Sequence, residues 1–148
     1  MPDTHAPWTA PDVFGLLRRL SPLRVISECG PSVFEAIVDF DRHGFAHGHM
    51  NAMTPTYHWH LALDGLGWIR TRDEIHERSG RRVLYLEFAR SSKTPRFLSV
   101  YVHRDKGEGF DDARLGVFES AHEQLRDGRS IEGRAMAEAV KRSKRVVQ

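Results

Sequence analysis

The sequence is poor in most of the features that announce a function. Its 148 residues hold a single cysteine, Cys29, so no internal disulfide can form, which fits a reducing compartment such as the cytoplasm. No run approaches the roughly 20 apolar residues needed to cross a bilayer, so membrane insertion is not expected. The first residues, MPDTHAPWTAPD, lack a basic region followed by an apolar stretch, so no secretory signal is expected either. Glycine-rich phosphate loops, an H-E-x-x-H zinc signature and a G-x-S-x-G elbow are all missing, which removes three common enzyme readings. Charge is nearly balanced: a formal net charge of +2 is too mild to imply nucleic acid on its own. Internal repeats and low-complexity tracts are absent as well.

What remains is the composition of an ordinary globular protein, 40% hydrophobic and 28% charged. Its size suits one domain over 1–148, with a core at about 11–127 and a basic C-terminal helix or tail at 130–148. TAPDVFGLLRRL opens with a helix start, Thr9 followed three residues later by Asp12. Val13, Leu16, Leu17 and Leu20 then recur at helical spacing until Pro22. The segments RVISEC, VFEAIVDF, LGWIRTR, RRVLYLEFAR and RFLSVYVHR favour strands through their β-branched and aromatic content and their alternation.

After DKGEGFDD the period turns helical, with Leu115, Phe118, His122 and Leu125 on one stripe behind a cap at Asp111 or Asp112. A weaker helix is expected from about Glu132 to Lys144, with Met136, Ala139 and Val140 on its apolar side. Strands joined by short turns, with helices at the chain ends, predict an α+β fold: a twisted antiparallel sheet flanked by N-terminal and C-terminal helices. Its core should hold Trp59, Leu61, Leu84, Leu86, Phe88, Leu98, Val100 and Val102, with Leu16, Leu17 and Phe118 packed against them.

One stretch stands apart. AHGHMNAMTPTYHWHL carries four of the nine histidines, as two His-x-His pairs on either side of a Thr-Pro. With Thr54 and Pro55 at the tip of a hairpin, Met53 faces Thr56, Asn51 faces His58, and His49 faces His60. Side chains alternate along a strand, so His47, His49, Asn51, His58 and His60 then share one face. Met50, Ala52, Tyr57, Trp59 and Leu61 form the opposite, core-like face. A one-residue shift of the loop would break this clustering. Grouped imidazoles suit a transition metal or a haem iron, and two His-x-His pairs also offer zinc its tetrahedral nitrogen ligands. A polar, solvated hairpin face is the plain alternative.

With the hairpin placed, the chain resembles the bacterial haem-utilisation carrier and haemin-transport superfamily of the ChuX/HutX and HemS type. The similarity runs from about Asp12 to Leu125. VFGLLRRLSPLRVISECGPSVFE looks like the family's helix and first strands, and HGHMNAMTPTYHWHLALDGLGWIRTRD like its Gly-aromatic-Asn and histidine-bearing strands. VLYLEFARSSKTPRFLSVYVHRD looks like its later hairpin, and Gly107 to Leu125 like its closing helix. The chain resembles a single copy of the unit without the additional N-terminal helical segment of other carriers. His49 stands where the family has an aromatic, and SECG where some relatives place a histidine.

The resemblance implies a cytoplasmic protein of haem uptake that holds haem and transfers it to an enzyme or storage partner. His60 matches the family's strand histidine and is the first choice of iron ligand. His47, His49 and His58 are neighbours able to complete or replace it. Tyr101 and His103, with Tyr85 beside them, are candidates to line the same cleft. Arg70 and Arg104, followed by Arg72, Arg81 and Arg82, are the guanidiniums offered for the propionates, which favour bidentate pairing. Cys29 is a weak ligand candidate. Relatives with two copies in one chain imply a homodimer here. Haem breakdown driven by an external reductant and a non-haem metal protein using the four histidines are the alternatives. A nucleic-acid role resting on the basic KRSKRVV ending is not favoured.

Overall fold

Helix α1 (Ala10–Leu20) starts where the sequence places it. The Thr9 hydroxyl accepts from the Asp12 amide and the Asp12 carboxylate accepts from the Thr9 amide, both at 3.2 Å, closing a capping box. The computed structural model describes residues 6–104 and 109–142, so the basic ending from 143 onward lies outside the described residues.

The described residues form strands β1 (Trp8–Thr9), β2 (Leu23–Cys29), β3 (Ser32–Val38), β4 (Gly44–Ala46), β5 (His49–Met53), β6 (His58–Ala62), β7 (Trp68–Ile75), β8 (Arg82–Ala89), β9 (Arg96–Val102) and β10 (Arg129–Glu132). Helix α2 (Asp112–Leu125) lies between β9 and β10, and α3 (Gly133–Val140) follows β10. Seven strands make one sheet in the order β1-β10-β7-β8-β9-β2-β3, antiparallel except for the short β1–β10 pair at one edge. The architecture is α+β, as the sequence predicts. It contains two sheets where one is expected, because β4, β5 and β6 pair only among themselves. The histidine-bearing strands belong to this smaller sheet.

Alternation along the long strands decides the layers. Leu23 and Val25 of β2, the even-numbered residues of β8, and Leu98, Val100 and Val102 of β9 meet in register on one face. Leu16, Leu17, Leu84, Leu86, Phe88, Leu98, Val100, Val102 and Phe118 are each at most 5% exposed in one continuous cluster. That part of the expected core is observed. Trp59 and Leu61 are only half-buried, because β6 is the edge strand of the small sheet and borders an open cleft.

Helix α2 buries Arg114, Phe118, Ala121 and Leu125, a face turned slightly from the expected stripe. His122 is half-buried, stacked on Phe118 and paired with the Thr71 hydroxyl at 2.8 Å. Arg114 is 6% exposed and binds the Asp111 carboxylate together with the carbonyls of Leu20, Pro22 and His103. It therefore ties the end of α1, the start of β2 and the end of β9 to one point. Helix α3 stops at Val140, short of the expected Lys144, and Ala139 is exposed while Ala137 and Val140 are buried. Among the described residues no helix is long and apolar enough to cross a membrane.

Gly133 packs against the exit of β6. A Cβ at this residue would collide with the carbonyls of Leu63 and Leu66, just after β6. Gly133→Ala is expected to cost about 1–3 kcal/mol through this forced displacement. Leu86→Ala, at the centre of the large sheet, is expected to cost about 2–5 kcal/mol. Urea denaturation of the two variants checks both values.

Candidate functional site

The small sheet is two hairpins in succession. Ala46 pairs with His49, so His47 and Gly48 form a two-residue turn with φ of 54° and 73°. Both positive values are those of a type I′ turn, which matches strand twist and favours glycine at its second position. His47 thus sits in a turn, exposed, and not on the strand face where the sequence reading places it. Its carbonyl oxygen lies 2.8 Å from His49 Nδ1.

The second hairpin is looser than a Thr-Pro tip. Thr54 Oγ1 accepts from the amides of Thr56 and Tyr57, and the Thr54 amide donates to the Tyr57 carbonyl at 2.8 Å. The connection therefore spans residues 54–57, and the register is Met53↔His58, Asn51↔His60 and His49↔Ala62. Each expected pair has moved by two positions, an even number, so the faces are unchanged. His49, Asn51, His58 and His60 remain on one side, and Met50, Ala52, Trp59 and Leu61 on the other. The His58 and His60 rings meet edge to face at 6.0 Å. His60 Nδ1 lies 2.7 Å from Asn51 Oδ1.

Because β6 is an edge strand, both of its faces border the space between the two sheets. That space is an apolar cleft of about 230 Å³. Tyr57, His58, Trp59, His60 and Leu61 form one wall; Val25, Ser27, Phe34, Ala36, Val38 and Leu98 form the other, with Phe97 at its end. Behind Trp59 lies an aromatic cluster: Phe40 meets its indole edge to face at 5.5 Å, His43 stacks on Phe40, and Phe14 and Phe45 close around His43. The cluster gives the Trp59 wall a rigid backing.

Of the candidate residues, the structure brings His58 and His60 to the cleft. His49 lies on the same hairpin face but does not line it. Tyr101 points from the opposite face of the large sheet and stacks on Tyr85 at 4.5 Å. Burial, followed by the hydrogen bond to Glu74, pushes the Tyr85 phenol up to about 12, which keeps it neutral. His103 follows β9; its amide donates to the Pro22 carbonyl and its own carbonyl accepts from Arg114.

The arginines are engaged elsewhere. Arg70 donates to the Arg126 carbonyl at 3.3 Å, and Arg104 donates to the Arg82 carbonyl and lies over the Phe110 ring. Arg72 pairs with Glu87, and Arg82 with Asp73. Arg81 lies at the β7–β8 turn, where its carbonyl accepts from the His76 amide. None of these arginines lines the cleft. Cys29 is exposed at the β2–β3 hairpin, and no three His, Cys, Asp or Glu side chains gather as a metal site among the described residues.

Known structures share this fold at low sequence identity. A protein of Agrobacterium tumefaciens superposes with a TM-score of 0.61 and 20% identity, over 77% of this chain and 65% of that one. A structure described as the heme-binding protein ChuX gives a TM-score of 0.59 at 11% identity, over 77% of this chain and 72% of that one. The chain has the ChuX-like fold. A second ChuX structure superposes with a TM-score of 0.57 at 13% identity, over 78% and 71% of the two chains. This chain spans just under two thirds of the Agrobacterium protein, and no family model or curated protein sequence matches it. Within the ChuX-like fold the expected order of helix, strands and closing helix is observed.

The Phe34 and Ala36 wall escaped the sequence reading, since alternation assigns a face but not the object opposite it. Asn51 was visible only as a polar neighbour. His43 was not singled out, although it stands in the aromatic run FDRHGF. Burial, then the nearby Arg18 charge, lowers its pKa from the ordinary 6.5, and its Nδ1 has no hydrogen-bond partner among the described residues. The folded chain therefore binds fewer protons at this site than the unfolded chain. The resulting stability is fully present above pH 6.5 and is lost as pH falls below it toward the depressed folded value. His43→Phe is expected to flatten this part of the stability profile, measured by urea denaturation across the acid range.

Proposed function

We propose that this chain is a cytoplasmic, single-domain haem carrier that binds haem at the cleft and passes it to an acceptor. The observation that carries the reading is an apolar cleft edged by the His58 and His60 imidazoles. The ChuX-like fold, whose solved examples include a structure described as heme-binding, supports it. Haem asks for apolar walls and an imidazole, phenolate or thiolate for its iron. Trp59, Leu61, Phe34, Val25 and Leu98 supply the walls and His60 the ligand, with His58 beside it. The residues fit the group in chemistry.

They also limit how it is held. The cleft is smaller than the roughly 300–1,000 Å³ of ordinary ligand pockets. A porphyrin seated here would extend past its rim, where Phe34 is 72% exposed. Bound haem would bring redox-active iron, and apolar contact would supply much of the affinity. A shallow, open seat suits cargo that has to leave again.

Haemin titration is expected to produce a Soret band, and His60→Ala to shift it. Replacing His47, His49, His58 and His60 together by alanine should leave the protein folded, because none belongs to the core face, and should weaken haemin binding about tenfold or more. An unaltered spectrum and affinity in that variant would show that the cleft is not the haem site. Bleaching of the band by a reductant and oxygen would turn the reading from carriage to breakdown.

We also propose a homodimer, with a second copy covering the outer face of β3. Val33 is 65% and Ile37 55% exposed there, on an edge strand that pairs with β2 on one side and with no described strand on the other. The resemblance to two-copy relatives supports a second copy as the occupant. Sedimentation at micromolar concentration is expected to give a dimer for the parent chain and a monomer for Ile37→Glu. A monomeric parent chain defeats this proposal.

A further inference from the structure

We propose that Asn51 is a positioning residue that selects the nitrogen His60 presents to iron; this rests on the haem reading above. Asn51 and His60 are direct partners in the β5–β6 ladder, on the same face. The orientation of the Asn51 carboxamide is fixed by two groups that can only accept. Its Nδ2 donates to the carbonyls of Ala46 and His49, both at 3.2 Å. Reversing the amide would set its oxygen against two carbonyl oxygens, so Oδ1 has to face His60.

Oδ1 in turn can only accept, and it lies 2.7 Å from His60 Nδ1. The hydrogen of the neutral ring is therefore on Nδ1, and Nε2 carries the lone pair. A metal-bound imidazole is commonly oriented in this way, with its second nitrogen donating to a fixed acceptor. The order of control runs from two backbone carbonyls of the β4–β5 hairpin, through Asn51, to His60. His58 has no such support: its ring makes no hydrogen bond among the described residues, only the edge-to-face contact with His60. The asymmetry marks His60 as the ligand and His58 as its companion.

The acceptor is a carboxamide and not a carboxylate. A carboxylate would draw the Nδ1 proton and make the imidazole a stronger donor to the metal. Asn51 thus holds the ring in place while leaving it an ordinary neutral ligand, the weaker of the two grips.

The test begins without haem. Nitrogen-15 NMR of the apoprotein in mildly alkaline buffer is expected to show His60 with hydrogen on Nδ1. Asn51→Leu should release the ring into a mixture of tautomers while circular dichroism remains that of the folded chain. With haemin, the same variant should bind roughly 10–100-fold more weakly. Asn51→Ala removes the same acceptor and should release the ring likewise, and it serves as the test if Asn51→Leu does not fold. An apoprotein tautomer with hydrogen on Nε2, or one that Asn51→Leu leaves unchanged, overturns the inference whatever haem does. If the tautomer responds as expected but His60→Ala leaves the haemin spectrum unchanged, the haem reading itself has failed and the inference falls with it.

Discussion

The large sheet has one apolar face, and that face is longer than two helices can cover. Removing apolar surface from water is the dominant favourable term in folding, so the uncovered remainder governs how the rest of the chain is arranged. The exposure of β3 records where the cover runs out: Val38 is 4% exposed, Ala36 is half-buried, and Phe34, on the same face, is 72% exposed. Helices α1 and α2 account for the covered half. The three-stranded sheet approaches the other half by its β6 edge, and an edge cannot seal a surface as a face can. The cleft is the gap left by that incomplete seal.

Its geometry depends on how firmly the small sheet is held. Gly48 donates to the Val140 carbonyl and Leu63 to the Gly48 carbonyl, so α3, the His47–Gly48 turn and the exit of β6 are joined by backbone hydrogen bonds. The close approach of Gly133 to the Leu63 and Leu66 carbonyls adds a steric stop. On the other side, the Phe14, Phe40, Phe45 and His43 rings brace Trp59. The imidazoles at the rim are therefore carried on a strand fixed at both ends, while the opposite rim, at Phe34, is loosely covered. A braced wall edged by imidazoles thus faces an open apolar one.

Much of this was legible in the sequence, and the reasons differ by element. The Thr9–Asp12 box is local chemistry, and it marked α1 to within a residue. The long strands and the Leu86–Val100 core follow from period-two alternation, which survives any arrangement of neighbours. What alternation cannot express is which layer an apolar face meets. Trp59 and Leu61 read as core because they oppose the histidines; their half-exposure depends on β6 being an edge, a property of topology. The short strands β1, β4 and β10 carry too few residues to show a period. The placement of Tyr101 away from His60 was equally hidden, since both strands alternate regularly but belong to different sheets.

The Thr54 hydroxyl, by organising a four-residue connection, moved every pair of the histidine hairpin by two positions and left each side chain on its original face. The histidine face thus has a parity rule. Length changes absorbed into this ladder are silent in steps of two and inverting in steps of one, since a single inserted residue turns Trp59 outward and His60 inward. Within the paired strands, the offset between His49 and the His58–His60 pair can then change by even steps without turning a side chain over, while an odd step has to be taken up by the 54–57 connection or by a bulge.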